Sequence, residues 1–253
     1  MPNLKLISQT GKVANHIDVE ACTQNNIAIA EGKGSPIAPS ELTWLLIMAS
    51  MRELIPAVNK FKKGEWQTNI GEKLEGKILG IWGYGKIGKW IAAYGNAFDM
   101  KVFIWVSPSA REKGISDGFD VAESKKNFFE NSDVLTLHLR LVDATKEIVK
   151  YNDLILMKND ALFVNTSRAE LVENNALQRA LLKGNPGRAA IDVFENEPIY
   201  DTNHWALQME NVLCTPHLGY VEKNGYEYYF GLAFKNIVDF FNGKAANILN
   251  SFK

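Results

Sequence analysis

Residues 78–88 read Ile78-Leu79-Gly80-Ile81-Trp82-Gly83-Tyr84-Gly85-Lys86-Ile87-Gly88. The first five form a continuous apolar run, which predicts a strand buried on both faces. The glycines at 83, 85 and 88 have G-x-G-x-x-G spacing, and the pattern turns helical from Lys89 to Phe98. Strand, glycine turn and helix in that order make the arrangement that binds a dinucleotide. Gly83 permits the tight turn, Gly85 lets the backbone approach a pyrophosphate, and Gly88 lets the helix lie close to its strand. The N–H groups opening the helix, around Lys86 and Ile87, then face the phosphates.

The flanking sequence carries the same alternation outward. Strands are expected at 78–82, 101–105, 134–138, 161–165, 188–193 and 212–214, with helices at 86–98, 124–131, 151–157 and 173–183 between them. Several strands are unbroken Val/Ile/Leu-rich runs, and Gly184 stands where a helix C-cap belongs. This is an α/β fold, a doubly wound parallel sheet of Rossmann type, in which ligands bind beyond the carboxyl ends of the strands. Before it come a short strand at 4–8, a turn at Gly11, a helix at 17–25 and a strand at 27–30. Gly32, Gly34 and Pro36 mark a loop and a domain boundary. Ser40 reads as the cap of one long helix from Glu41 to about Lys62, and 63–76 as an exposed connection. A last helix, 223–242, carries a stripe of aromatics (Tyr226, Tyr228, Tyr229, Phe230, Phe234) that reads as packing surface. The division is thus 38–219 for the dinucleotide-binding domain, with 1–37 and 220–253 forming a second, smaller domain.

Composition narrows the function. The chain has 253 residues, 46% hydrophobic and 23% charged, with a formal net charge of -1. No long basic block points to nucleic acid or an anionic membrane as partner. No run of 18 apolar residues predicts a transmembrane helix, and the start lacks the pattern of a signal peptide. The two cysteines, Cys22 and Cys214, are far apart and set among apolar residues, which reads as free buried thiols in a reducing cytoplasm. No Cys/His spacing suggests a metal site.

Three more segments fall at predicted strand ends: Asn165-Thr166-Ser167-Arg168, Asp192-Val193-Phe194-Glu195-Asn196-Glu197-Pro198, and Thr215-Pro216-His217. An arginine past a buried strand is suited to a two-pronged grip on a carboxylate. An imidazole titrates near neutral pH and suits proton delivery, and a carboxylate beside it favours its charged form. In this order, beside the glycine turn, the segments make the chain resemble the D-isomer-specific 2-hydroxyacid dehydrogenase family over nearly its whole length. The resemblance implies hydride transfer between a nicotinamide cofactor and a small 2-oxo or 2-hydroxy acid. It implies Arg168 as the substrate-binding arginine, His217 as acid/base and Glu197 as its carboxylate partner. It implies that Gly83, Gly85, Lys86, Ile87, Gly88 and Thr166 meet the cofactor, that Asp192 approaches the nicotinamide amide, and that the Gly11-Lys12 turn lies near the substrate carboxylate. Glyoxylate, hydroxypyruvate, pyruvate-like acids and 3-phosphoglycerate are the implied substrates. Glu197, rather than glutamine, disfavours a formate-type enzyme.

Three departures qualify that expectation. Family members carry a further N-terminal stretch that completes a flavodoxin-like substrate domain, so residues 1–37 and 220–253 read as an incomplete remnant of it. That leaves a second reading open: a cofactor-binding chain with weak or no turnover, or a corepressor-like binding module. Val106 stands where NAD-preferring members place an acidic residue for the ribose 2′-hydroxyl. With that carboxylate gone, Ser107, Ser109 and Arg111 are placed to receive a 2′-phosphate, so NAD or NADP is expected, with NADP slightly favoured. Ala169 follows Arg168 where glycine is usual, which adds strain if that position needs positive φ. By analogy, the 41–62 helix and the loop after it form a homodimer contact.

Overall fold

The computed structural model describes residues 3–13 and 16–250, and the Ser109 side chain also lies outside the described part. The chain divides into two compact units, one of residues 1–38 with 220–253 and one of residues 39–219. In the first, β1 (Leu6–Ser8) pairs in parallel with β2 (Ala28–Ala30) across α1 (Val19–Gln24). Asp18 caps α1 by accepting the Ala21 N–H at 2.9 Å, which supplies one of the donors a helix start leaves unpaired. All three β2 residues are fully buried.

The predicted helix of 41–62 is instead two helices, α2 (Ile37–Met51) and α3 (Leu54–Phe61). Glu53 adopts φ 49°, a left-handed conformation that a continuous helix cannot accommodate. Ser40 is not the cap; it lies inside α2 and is fully buried. The helix starts earlier because Pro39 falls in its first turn, where a missing N–H costs no helical bond.

The second unit is built on a seven-stranded sheet. In chain order it runs β3 (Ile78–Trp82), α4 (Lys86–Ala97), β4 (Lys101–Trp105), α5 (Pro108–Ser116), β5 (Asp120–Val121), α6 (Lys125–Asn131), β6 (Val134–Leu137), α7 (Tyr151–Leu154), β7 (Leu162–Asn165), α8 (Ala176–Lys183), β8 (Arg188–Ile191), α9 (Trp205–Gln208) and β9 (Val212–Cys214). The strand order is β5-β4-β3-β6-β7-β8-β9 and every pairing is parallel. The elements α5, β5 and α9 were not predicted, being short and without an apolar period. The helix expected from 173 begins at 176, because Asn175 sits at φ 56°, and Gly184 ends it at φ 94°.

Alternate residues of each central strand go to opposite cores. Trp82, Leu135, Leu137 and Phe163 join Phe128 and Phe129 on one face. Leu79, Ile81, Val134, Leu162 and Val164 join Ile91 and Ile104 on the other. That two-sided burial is why these strands read as unbroken apolar runs rather than as alternating ones.

The last helix among the described residues, α10 (Lys223–Phe241), lies in the first unit. Its aromatic stripe is not packed as expected. Tyr226 stacks on Phe230 at 5.9 Å and Phe230 on Phe234 at 6.4 Å, yet Phe234 remains 63% exposed. The buried face is formed by the small residues Gly225 and Ala233 with Asn236. Cys22 and Cys214 are free, and half-buried rather than buried.

Candidate active site

Strand register sets up the site. Trp105, Trp82, Leu137, Asn165, Ile191 and Cys214 are successive partners across the sheet, so they form one row at the carboxyl ends of β4, β3, β6, β7, β8 and β9. The glycine turn and the segments opening with Asn165, Asp192 and Thr215 leave the sheet at or just beyond this row. The strand order reverses between β3 and β6, which is where an open α/β sheet leaves its crevice.

The glycine turn opens there. Gly83 has φ 103°, and a Cβ on it would lie 2.6 Å from the His138 carbonyl oxygen. A Cβ on Gly88 would lie 2.1 Å from the Gly83 carbonyl oxygen, so α4 approaches the turn as only glycine permits. Gly85 is the N-cap of α4, with no side chain capping the first turn. A Cβ added there meets no atom within 4 Å. Gly85 and Lys86 are exposed and Ile87 half-buried. Open space, uncapped N–H groups and a close-packed helix start fit a dinucleotide pyrophosphate. Tyr84 flanks the turn, donating to Asp117 at 2.9 Å, and burial pushes its phenol upward.

Beyond β4, Val106 is half-buried and Ser107 precedes α5 as its N-cap. Arg111 is the third residue after Pro108 in α5, and its Nη1 donates to the Ala122 carbonyl at 3.1 Å. Its guanidinium therefore already has a partner within the protein.

Beyond β7, Thr166 shares a hydroxyl hydrogen bond of 2.7 Å with Thr43 of α2. Arg168 is exposed, and its Nη1 donates to the Ser167 carbonyl at 2.6 Å. Ala169 is not among the residues with positive φ, so alanine in place of glycine adds no strain.

Beyond β8, Asp192 is fully buried. Its carboxylate accepts from Thr215 Oγ1 at 2.6 Å, the Leu218 N–H at 2.7 Å and the Gly219 N–H at 2.9 Å. Burial raises its pKa, and these three bonds pull it back down. The carboxylate thus holds both sides of the turn that carries His217, whose φ is 54°. A left-handed non-glycine residue is sustained only where its surroundings over-determine it. Glu197 Oε1 accepts the Phe194 N–H at 2.9 Å, and Oε2 lies 2.6 Å from His217 Nδ1. Both partners are about one-third exposed, so the imidazole and carboxylate meet at the edge of the solvent.

Arg168, Glu197 and His217 therefore leave three successive strands of one unit. Gly11 and Lys12 belong to the other. There the Lys12 ammonium pairs with Glu31, the Val13 N–H donates to Glu31 at 3.0 Å, and the Gly32 N–H donates to the Gly11 carbonyl at 2.9 Å. Among the described residues no group of three His, Cys, Asp or Glu side chains gathers as a metal site.

Two residues had no assigned role from sequence. Asn165 ends β7 and is almost fully buried. His138 follows β6, accepts or donates at 3.0 Å with Thr136, and is pushed down to about 3 by burial. Their signal in the sequence was position: each stands at the polar end of an apolar strand.

The profile of the D-isomer specific 2-hydroxyacid dehydrogenase NAD binding domain matches residues 44–219. The chain belongs to the D-isomer-specific 2-hydroxyacid dehydrogenase family. A glyoxylate reductase of Aeropyrum pernix is 34% identical over 98% of this chain and 77% of its own length. The phosphoglycerate oxidoreductase structure from Vibrio cholerae superposes with a TM-score of 0.91 at 52% identity, covering 96% of this chain and 78% of that one. A D-lactate dehydrogenase of Aquifex aeolicus, solved with NAD and lactic acid, superposes with a TM-score of 0.83 at 28% identity, covering 96% and 78%. The dehydrogenase family's cofactor domain is thus the part of this chain built on the seven-stranded sheet.

Proposed function

We propose that this chain interconverts a small 2-oxo acid and its D-2-hydroxy acid with a nicotinamide dinucleotide, glyoxylate being the first substrate to test. The observation that carries the reading is the His217–Glu197 pair, 2.6 Å apart, beyond the two strands that follow the one delivering Arg168. Reduction needs a hydride at the carbonyl carbon and a proton at its oxygen. The bound nicotinamide supplies the hydride. His217 supplies the proton as acid and recovers it as base. With Nδ1 committed to Glu197, Nε2 is the atom that exchanges it, and the Glu197 carboxylate stabilises the imidazolium. Arg168 holds the substrate carboxylate and polarises the carbonyl as negative charge develops. Backbone N–H groups of the Gly11-Lys12 turn are proposed to bind a substrate carboxylate. Gly83, Gly85, Lys86, Ile87 and Gly88 cradle the pyrophosphate, with Thr166 beside the cofactor.

The family's domain and the relative solved with NAD support NAD as cofactor. We propose that NADP is accepted as well, because Val106 places no carboxylate where a 2′-phosphate would sit. Ser107 and Arg111 are the residues to meet it. The first unit, residues 1–37 with 220–253 as divided from the sequence, is read as substrate-binding. A homodimer is proposed through α2 and the segment after α3. There a groove of about 720 Å³ is lined by Leu45, Met48, Leu54, Phe61 and Trp66, the last 73% exposed. Exposed apolar area of this kind favours association. Among the described residues no helix is long and apolar enough to cross a membrane. Two free thiols suit a cytoplasmic setting.

The test is cofactor oxidation. NADH and NADPH are mixed separately with the chain and glyoxylate or hydroxypyruvate, beside His217→Ala. Turnover lost in the variant, with cofactor affinity kept, supports the reading. Tight cofactor binding without turnover would favour the cofactor-binding alternative.

A further inference from the structure

Arg168 is exposed on a long, rotatable stem, yet a two-pronged grip on a carboxylate needs its guanidinium aimed in advance. The structure shows what aims it. The Asn165 amide nitrogen donates to the Arg168 carbonyl at 2.8 Å, and its amide oxygen accepts the Ser167 N–H at 3.1 Å. One buried side chain, 3% exposed, thereby closes a ring over the next three residues. Both of its bonds go to the backbone of 167–168 and neither serves the sheet. The ladder there is made by backbone alone, with the Asp192 N–H donating to the Asn165 carbonyl at 3.0 Å.

Two further ties complete the mount. Ser167 Oγ donates to the Leu137 carbonyl at 2.7 Å, anchoring the loop to the end of β6. Arg168 Nη1 donates to the Ser167 carbonyl at 2.6 Å, so the guanidinium rests on the 167–168 peptide, which lies between the two peptides that Asn165 bonds. The ring thus sets both the Cα–Cβ direction of Arg168 and the acceptor that steers its far end. Only an amide can do this. An aspartate keeps the acceptor for Ser167 but sets a carboxylate oxygen against the Arg168 carbonyl oxygen, two acceptors facing each other.

We propose that Asn165 is a positioning residue for substrate binding, acting through Arg168. This rests on the assignment of Arg168 to the substrate carboxylate. The test compares Asn165→Asp, Arg168→Ala and the double variant for kcat and KM with glyoxylate, and for NADH affinity by fluorescence. The {1H}-15N heteronuclear NOE of Ser167 and Arg168 is read in the same proteins. Asn165→Asp should lower kcat/KM by about 10–100-fold, chiefly through KM, as an ångström-scale misplacement does. NADH affinity should hold within about twofold, and the double variant should be no worse than Arg168→Ala, because coupled residues are not additive. The NOE at 167–168 should fall. Multiplying losses in the double variant, an unchanged kcat/KM, or an unchanged NOE would each overturn the proposal. If the wild-type chain turns over no 2-oxo acid, the functional reading fails while the NOE still decides whether Asn165 holds the loop. Should Asn165→Asp not fold, Asn165→Ala removes both bonds without adding charge and takes its place in every arm.

Discussion

Gly88→Ala and Gly85→Ala are both single methyl additions to the glycine turn, and the structure separates them. At Gly88 the new Cβ would lie 2.1 Å from the Gly83 carbonyl oxygen, about 0.9 Å inside the 3.0 Å that real Cβ contacts respect. The obstacle is backbone held by the Gly83 N–H to Trp105 carbonyl bond of 3.1 Å, so it cannot swing aside as a side-chain tip would. Overpacking of this kind costs about 1–3 kcal/mol, and a backbone obstacle argues for the upper half. Alanine in a helix returns up to about 1 kcal/mol, leaving a net loss near 2. For a chain of this size that lowers Tm by roughly 4–8 °C. The start of α4 must shift, carrying the Lys86 and Ile87 N–H groups with it. Charge-assisted bonds lost there are worth about 1.5–3 kcal/mol, so NADH affinity should fall roughly 10–100-fold. At Gly85 the new Cβ meets nothing within 4 Å, and φ is -85°. Tm should stay within about 2 °C, because a weaker N-cap is offset by a stiffer unfolded chain. NADH affinity should still fall, because the methyl occupies the space left for the pyrophosphate. Thermal melts and NADH fluorescence titrations decide. Equal destabilisation by the two variants, or unaltered NADH affinity in Gly88→Ala, would refute the reasoning.

Other outcomes follow from the same geometry. Arg168→Lys should raise KM for the 2-oxo acid and lower kcat in steady-state assays, because a point charge cannot replace a planar fork; unchanged constants would remove Arg168 from the substrate. Asp192→Asn puts an amide nitrogen among three donors, so the His217 turn should loosen at a cost of about 1–3 kcal/mol by urea denaturation, with turnover falling alongside. An unchanged midpoint would show that those bonds carry little. Burial pushes His138 from 6.5 down to about 3, so the unfolded chain takes up a proton that the folded chain refuses. The stability at stake is present above pH 6.5 and is lost at up to about 1.4 kcal/mol per pH unit as pH falls toward 3. Urea midpoints between pH 7 and 5 should therefore fall less steeply in His138→Gln, and parallel slopes would disprove it. Burial pushes the Cys214 thiol up to about 12, so native protein at pH 8 should resist iodoacetamide at Cys214, as peptide mass spectrometry would show, until it is unfolded.

The strands at 78–82 and 101–105 and the glycine turn were legible because their signals are local. Two-sided burial writes an unbroken apolar run, and a close helix–strand approach writes a glycine. The elements that sequence missed lack such a signal. β5 has two residues and exists only because Phe103 and Ile104 offer it an edge. The break at Glu53 is one left-handed residue inside an otherwise helical pattern. The stripe on α10 has helical spacing whether or not anything covers it, so periodicity alone could not show that Phe234 is exposed.

The same boundary runs through the site. The sequence by itself determined which residue types are present: an arginine, a histidine and carboxylates at strand ends, with the glycine turn among them, and enough order among them to identify the family. Only the tertiary structure decided who holds whom. Asp192, Thr215 and Gly219 meet because β8 and β9 are neighbours in register. Asn165 turned out to grip the arginine loop, and Arg111 to be engaged by Ala122, neither of which a strand-end position reveals. The physical reason is range. Local pattern records burial and backbone conformation residue by residue, whereas hydrogen-bond partners are chosen by which strand ends the sheet sets side by side.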